Sequence, residues 1–178
     1  MQLQNYYYWF KDAIPHHVCD DIVRYAKSIQ DEMAVTGGLG NRKLNKKEVT
    51  DLKKKRDSDI VWLNERWIYN AIHPYIHQAN RDANWNFQWD FSESCQFTKY
   101  KKGQYYDWHC DSWDRPYDSP NTPSHGKQRK LSVTLSLSDD KDYSGGELEF
   151  DMRNMDPDKK TNTHVLKEIR SKGSLVVF

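Results

Sequence analysis

The spacing of apolar residues changes period along the chain. After Pro15, the residues Val18, Ile22, Tyr25, Ala26, Ile29 and Met33 recur at helical spacing, which predicts an amphipathic helix reaching to about Met33. Asp20 and Asp21 are then expected near the positive end of its dipole. Trp67, Ile68, Ala71, Ile72, Tyr75, Ile76 and Ala79 trace a second helical face, and Pro74 within it predicts a kink. Between the helices, Ile60-Val61-Trp62-Leu63 reads as a short strand. The stretch from Thr36 to Ser58 carries Gly37, Gly38 and Gly40, then a polar run dominated by Arg42, Lys43, Lys46, Lys47, Lys53, Lys54, Lys55 and Arg56. That run predicts a long exposed loop.

From Phe87 onward the pattern becomes that of strands separated by turns. In the clearest strand, Leu131 to Ser138, the residues Leu131, Val133, Leu135 and Leu137 alternate with Ser132, Thr134, Ser136 and Ser138. One face is apolar and the other small and hydroxylated, which suits either a solvent-facing sheet or the wall of a cavity. Asp114 to Gln128, holding Pro116, Pro120 and Pro123, is long enough to serve as a lid. Helices first and strands after predict an α+β domain, mainly β.

Composition narrows the class. A length of 178 residues fits one domain spanning 1–178. Lys and Arg number 27 against 26 Asp and Glu, so no global charge draws the chain to nucleic acid or to an anionic membrane. Glu48 and Asp51 interrupt the basic run, which therefore reads as a solvated loop. No apolar stretch is long enough to span a bilayer, and the first residues lack the basic start and cleavage site of a signal peptide. A soluble, cytoplasmic protein is expected. Cys19, Cys95 and Cys110 are three in number with no CxxC spacing, which argues against a disulfide framework or a structural zinc site.

Candidate chemistry centres on Tyr105-Tyr106-Asp107-Trp108-His109-Cys110-Asp111. Read as the end of a strand, this segment sends His109 and Asp111 to one side and Cys110 to the other. An imidazole and a carboxylate that converge in this way are two parts of a 2-His-1-carboxylate facial triad. An ordinary strand-end ion pair would have the same sequence.

The wider context resembles a family. Gln96 to Asp111 contains the pattern Y-x-x-G…Y-x-x-H-x-D on Tyr100, Gly103, Tyr106, His109 and Asp111. Arg129 to Ser138 resembles the strand after the lid, Tyr143-Ser144-Gly145-Gly146-Glu147-Leu148 the Y-x-G-G-E-L turn, and Gly173 to Phe178 the G-x-L-v-v-F strand. Upstream, Asp12 to Pro15 and Cys19 to Ile22 resemble the usual N-terminal helix. In this order they resemble the iron(II)- and 2-oxoglutarate-dependent oxygenases of prolyl-4-hydroxylase type.

The resemblance implies a double-stranded β-helix, or jelly roll, buttressed by helices. It implies Fe(II), 2-oxoglutarate and O2 as cofactors, with ascorbate as an accessory. The expected reaction is hydroxylation of a prolyl or other residue of a peptide or protein, with conversion of 2-oxoglutarate to succinate and CO2. Hydroxylation of a free amino acid or small metabolite is the alternative, and a non-catalytic jelly-roll binding module is another. His109 and Asp111 are expected as metal ligands, Tyr100, Thr134 and Ser136 around the cosubstrate, and Tyr106 and Arg129 toward the substrate. Ser136 stands where some relatives have a tyrosine. The family's distal histidine and its cosubstrate-pairing Lys or Arg belong after the G-x-L-v-v-F strand, so the third ligand is expected beyond Phe178 and the last strands are expected to be missing. His16, His17, His73, His77, His125 and His164 fall at positions that do not match it.

Overall fold

The computed structural model describes residues 5–29, 32–33, 45–152 and 162–178. Gly37, Gly38, Gly40, Arg42 and Lys43 of the expected loop lie outside them. Among the described residues, three α-helices and ten short strands follow in order: β1 Tyr8–Phe10, α1 His16–Ser28, β2 Glu32–Met33, α2 Lys46–Lys53, β3 Arg56–Asp57, β4 Asp59–Leu63, α3 Arg66–Asp82, β5 Cys95–Lys99, β6 Tyr105–Tyr106, β7 Val133–Leu135, β8 Glu149–Asp151, β9 Thr163–Val165 and β10 Leu175–Val177. Among the described residues, no helix is long and apolar enough to cross a membrane.

The chain divides into two compact units, each discontinuous in sequence. The first comprises Met1–Val23, Trp67–Gln88 and Leu131–Phe178. Its antiparallel sheet has the order β1-β10-β7, with Tyr8 opposite Val177 and Leu175 opposite Leu135. The apolar Leu175-Val176-Val177 run becomes the central strand because a strand with neighbours on both sides is screened from water. Leu166, Ile169 and Val176 pack with Tyr7, Leu148, Phe150 and Phe178. From α3, Ile68, Ile72, Ile76 and Ala79 are buried at helical spacing around Pro74. In the last turn of α3, Asn80 donates from Nδ2 to the Phe87 carbonyl and accepts from the Phe87 amide, at 2.8 and 2.9 Å, which fixes the exit of the chain.

The second unit comprises Arg24–Arg66 and Trp89–Lys130. Its sheet has the order β2-β4-β5, antiparallel, with Asp59 opposite Lys99 and Leu63 opposite Cys95. Ile60, Val61 and Leu63 of β4 are each 2% exposed, while Trp62, on the same side as Ile60, is 48% exposed. A two-stranded ribbon pairs β3 with β6 and sets Arg56 opposite Tyr106.

Three expectations change. The first helix stops at Ser28, where the Ser28 hydroxyl donates back to the Tyr25 carbonyl at 2.6 Å, and Met33 belongs to β2. The first turn of α1 contains no acidic residue, and Asp20 pairs with Lys172 instead. The expected loop from Thr36 to Ser58 contains α2 and β3. Asn45 and Glu48 close a reciprocal capping box at the start of α2, which satisfies two otherwise orphaned amides.

Candidate metal centre

The site is built from the second unit. β6 ends at Tyr106, so His109 and Asp111 lie in the turn beyond the strand rather than on its pleat. Local hydrogen bonds bring them together. The Asp107 amide donates to the Lys55 carbonyl at 2.8 Å, which ties the turn to the ribbon. The Asp107 carboxylate accepts from the Trp108 amide at 2.8 Å, a local bond between neighbouring residues. His109 Nδ1 stands 2.8 Å from the Asp107 carbonyl. A carbonyl only accepts, so Nδ1 carries the hydrogen.

That leaves Nε2 facing Asp111 Oδ1 at 3.1 Å. An imidazole lone pair and a carboxylate oxygen at this separation repel unless a proton or a metal cation lies between them. Ligand histidines commonly donate their second N–H to a backbone carbonyl, which fixes the tautomer, and the Asp107 carbonyl supplies that acceptor. An N,O donor pair of this kind is able to take a divalent transition-metal cation. Among the described residues, no group of three His, Cys, Asp or Glu side chains is arranged to hold an ion; His109 and Asp111 meet as a pair.

The backbone of Asp111 is held from beyond the segment Asp114 to Gln128. Arg129 Nη1 donates to the Asp111 carbonyl at 2.7 Å, and Nη2 pairs with Glu93. The Ser112 hydroxyl donates to the Arg129 carbonyl at 3.0 Å, and Gln128 Nε2 to the Trp113 carbonyl at 2.7 Å. The segment between them, Asp114 to Gln128, is internally bonded: the Tyr117 amide donates to the Lys127 carbonyl at 2.8 Å and the Gly126 amide to the Tyr117 carbonyl at 2.9 Å, while the Tyr117 hydroxyl donates to Glu93 at 2.9 Å. Trp108 and Trp113, which bracket His109 and Asp111 in sequence, are 55% and 58% exposed.

Tyr106 stacks on His109 with ring centroids 3.6 Å apart and planes 13° from parallel. Its other neighbour is Arg56, whose Cζ is 4.3 Å from the ring centroid. Tyr100 follows β5 and is half exposed. Loss of solvent around its phenol raises the pKa above the ordinary value; nearby Tyr106 adds to this, and the Arg56 charge and hydrogen bond oppose it. Tyr100 thus remains a neutral hydrogen-bonding group at physiological pH.

Thr134 and Ser136 belong to the first unit. Thr134 is half buried in β7, opposite Val176. The Ser136 hydroxyl donates to the Ile169 carbonyl, and its backbone continues the sheet through bonds to Ser174 and Gly173. Sequence reasoning missed Arg56, Glu93 and Asp107. Arg56 was absorbed into the basic run, although it alone is followed by Asp57, Ser58 and Asp59 at the entry to a strand.

Residues 95–178 match the model of the 2OG-Fe(II) oxygenase superfamily. No curated protein matches the chain in sequence. Among solved structures it is similar to a viral collagen prolyl hydroxylase from Paramecium bursaria Chlorella virus-1, in complex with 2OG. That likeness has a TM-score of 0.61 at 19% identity and covers 98% of this chain and 78% of the viral one. At that identity the likeness is one of fold.

Proposed function

From a chain whose residues 95–178 match the model of the 2OG-Fe(II) oxygenase superfamily, we propose an Fe(II)- and 2-oxoglutarate-dependent dioxygenase that hydroxylates a prolyl or other residue of a peptide or protein. The observation that carries this reading is the His109–Asp111 pair, with Nε2 presented by the bond from Nδ1 to the Asp107 carbonyl. In the superfamily, Fe(II), 2-oxoglutarate and O2 are the cofactors; together they supply the oxidation, in which 2-oxoglutarate yields succinate and CO2 and an oxygen atom enters a substrate C–H bond. Ascorbate as a reductant and a complete jelly roll belong to this proposal.

The protein's own part is to hold and to exclude. His109 and Asp111 hold the cation. Tyr100, kept neutral, donates a hydrogen bond to the cosubstrate carboxylate. Arg129 fixes Asp111 and stands at the foot of the lid from Asp114 to Gln128. The exposed rings of Trp108 and Trp113 offer faces on which a proline ring packs. A preference for proline draws further support from the viral collagen prolyl hydroxylase of similar fold.

Succinate release from 2-oxoglutarate, with and without proline-rich peptides, tests the reading. Peptide-stimulated release that disappears in His109→Ala and Asp111→Ala is the expected result. Release unchanged in both variants would sink the metal site. Stimulation by free proline but not by peptides would favour a small-molecule hydroxylase, and metal binding without turnover under any condition would favour a binding module.

A further inference from the structure

Arg56 is 5% exposed, yet its partners in the structure are neutral. Nε donates to the Ser58 hydroxyl at 3.0 Å, while Nη2 donates to Gln96 Oε1 and, at 3.5 Å, to the Thr98 hydroxyl. The nearby carboxylates are committed elsewhere, Asp57 to Lys53 and Asp59 to Lys101. Burying a cation without an anion is costly even after relaxation, and neutral acceptors, the Tyr100 phenol among them, recover only part of that cost. A packing role alone would be filled at less cost by an apolar side chain of similar length.

What the guanidinium does have is a ring beneath it. The β3–β6 register places Arg56 opposite Tyr106, and Gln96 and Thr98, two apart on β5, hold the fork so that its face lies 4.3 Å from the Tyr106 centroid. A cation over an aromatic face is attracted by the ring quadrupole, the more strongly the less water screens it. Tyr106 also stacks at 3.6 Å on the imidazole of His109. Guanidinium and imidazole thus both engage the phenol ring, and Arg56 belongs to the ribbon to which Asp107 is also tied through Lys55.

We infer that Arg56 is a positioning residue for the ligand imidazole, acting through the ring of Tyr106. The inference rests on the reading of His109 as a ligand. The Nδ1 bond to Asp107 fixes one point of the imidazole and leaves rotation about that bond free. A ring clamped against its face removes this freedom and keeps Nε2 aimed at Asp111. A planar fork held by three acceptors presents a flat face to the ring, which a lysine ammonium on a flexible stem cannot reproduce.

The test uses the full chain with cobalt(II) as the probe, read by visible absorption, together with proton NMR of the His109 ring in the metal-free protein. In the parent, the Tyr106 ring current shifts the His109 ring protons upfield. In Arg56→Met that shift is expected to collapse and cobalt(II) to bind about tenfold more weakly, the scale typical of second-layer contacts to a metal ligand. Arg56→Lys is expected to restore only part of either signal. In a Tyr106→Ala background, either Arg56 substitution is expected to change cobalt(II) affinity no further.

A folded Arg56→Met with parent ring shifts and parent affinity would overturn the inference, as would effects of the Arg56 and Tyr106 substitutions that simply add. Should Arg56→Met fail to fold, the cycle with Arg56→Lys decides on the same criterion. His109→Ala separates the two readings. Unchanged cobalt(II) affinity in that variant removes His109 as a ligand, while the ring shifts still report whether Arg56 holds the stack.

Discussion

Ser136 shows how a single hydroxyl can be placed by sequence and assigned by structure. The alternation along Leu131 to Ser138 puts a small hydroxylated face somewhere without saying what it meets. Residues 131–137 are all half buried, and the Ser136 hydroxyl donates to the Ile169 carbonyl. Ser136→Ala would leave that carbonyl without its donor, which costs on the order of 1–2 kcal/mol. Thermal unfolding is expected to report that loss, with the KM for 2-oxoglutarate unchanged. A raised KM with stability unaltered would return Ser136 to the cosubstrate pocket. His109 and Asp111 offer the opposite case. Their pairing was legible from two letters of sequence in family context, but its cause was not. The bond from Nδ1 to the Asp107 carbonyl and the turn at Trp108 place the imidazole, and no periodicity of apolar residues encodes them.

At the scale of elements, the helix α2 within the basic run was missed because composition outweighed capping. Lysines dominate the segment, yet Asn45-Lys46-Lys47-Glu48 has the spacing of a capping box, and both reciprocal bonds are present at 2.9 and 2.8 Å. The C-terminal end is closed from a distance. The Tyr105 hydroxyl lies 3.2 Å from the Lys53 carbonyl and 2.8 Å from that of Lys54, a contact no local reading of 45–54 contains. The helix buries no residue, so its ends matter more than its faces. Asn45→Ala is expected to cost the helix about 1 kcal/mol. Tyr105→Phe, which keeps the ring and removes the donor, is expected to lower hydrogen-exchange protection across Lys46–Lys53. Protection unchanged in Tyr105→Phe would show that water replaces the phenol without penalty. The strands were legible where long-range pairing agrees with local pattern, as in Asp59–Leu63, and were misjudged at their ends, where partners distant in sequence decide.

At the scale of the whole molecule, stability depends on contacts between the ends of the sequence and on charges the fold holds in place. Gly173 adopts φ +85°, and a Cβ there would stand 2.2 Å from the Ile14 carbonyl oxygen; its own carbonyl accepts from the Ile14 amide at 2.9 Å. Gly173→Ala is therefore expected to destabilise by roughly 3 kcal/mol or more, through strain and overpacking together, and a urea midpoint near that of the parent would contradict the close approach. The acid limb of stability should show two steps. Burial, and then the nearby charge of His77, lowers the pKa of His73 in the folded state. The unfolded chain, with its histidine near 6.5, takes up the proton first, so this contribution is present above about pH 6.5 and lost as the pH falls below it. Asp59 acts lower on the scale. Its bond to Lys101, at 2.7 Å, holds the carboxyl below the usual range against the opposing effect of burial, with the Lys101, Lys99 and Lys53 charges assisting. Its contribution is intact above the unfolded value of about 3.9 and is lost as the pH falls through the folded one. Urea midpoints measured from pH 8 to pH 3 are expected to decline gently below about 6.5 and more steeply below about 4. His73→Gln should flatten the first decline alone and Lys101→Met the second alone; if either substitution changed both limbs equally, the assignment of the steps to these two groups would be wrong.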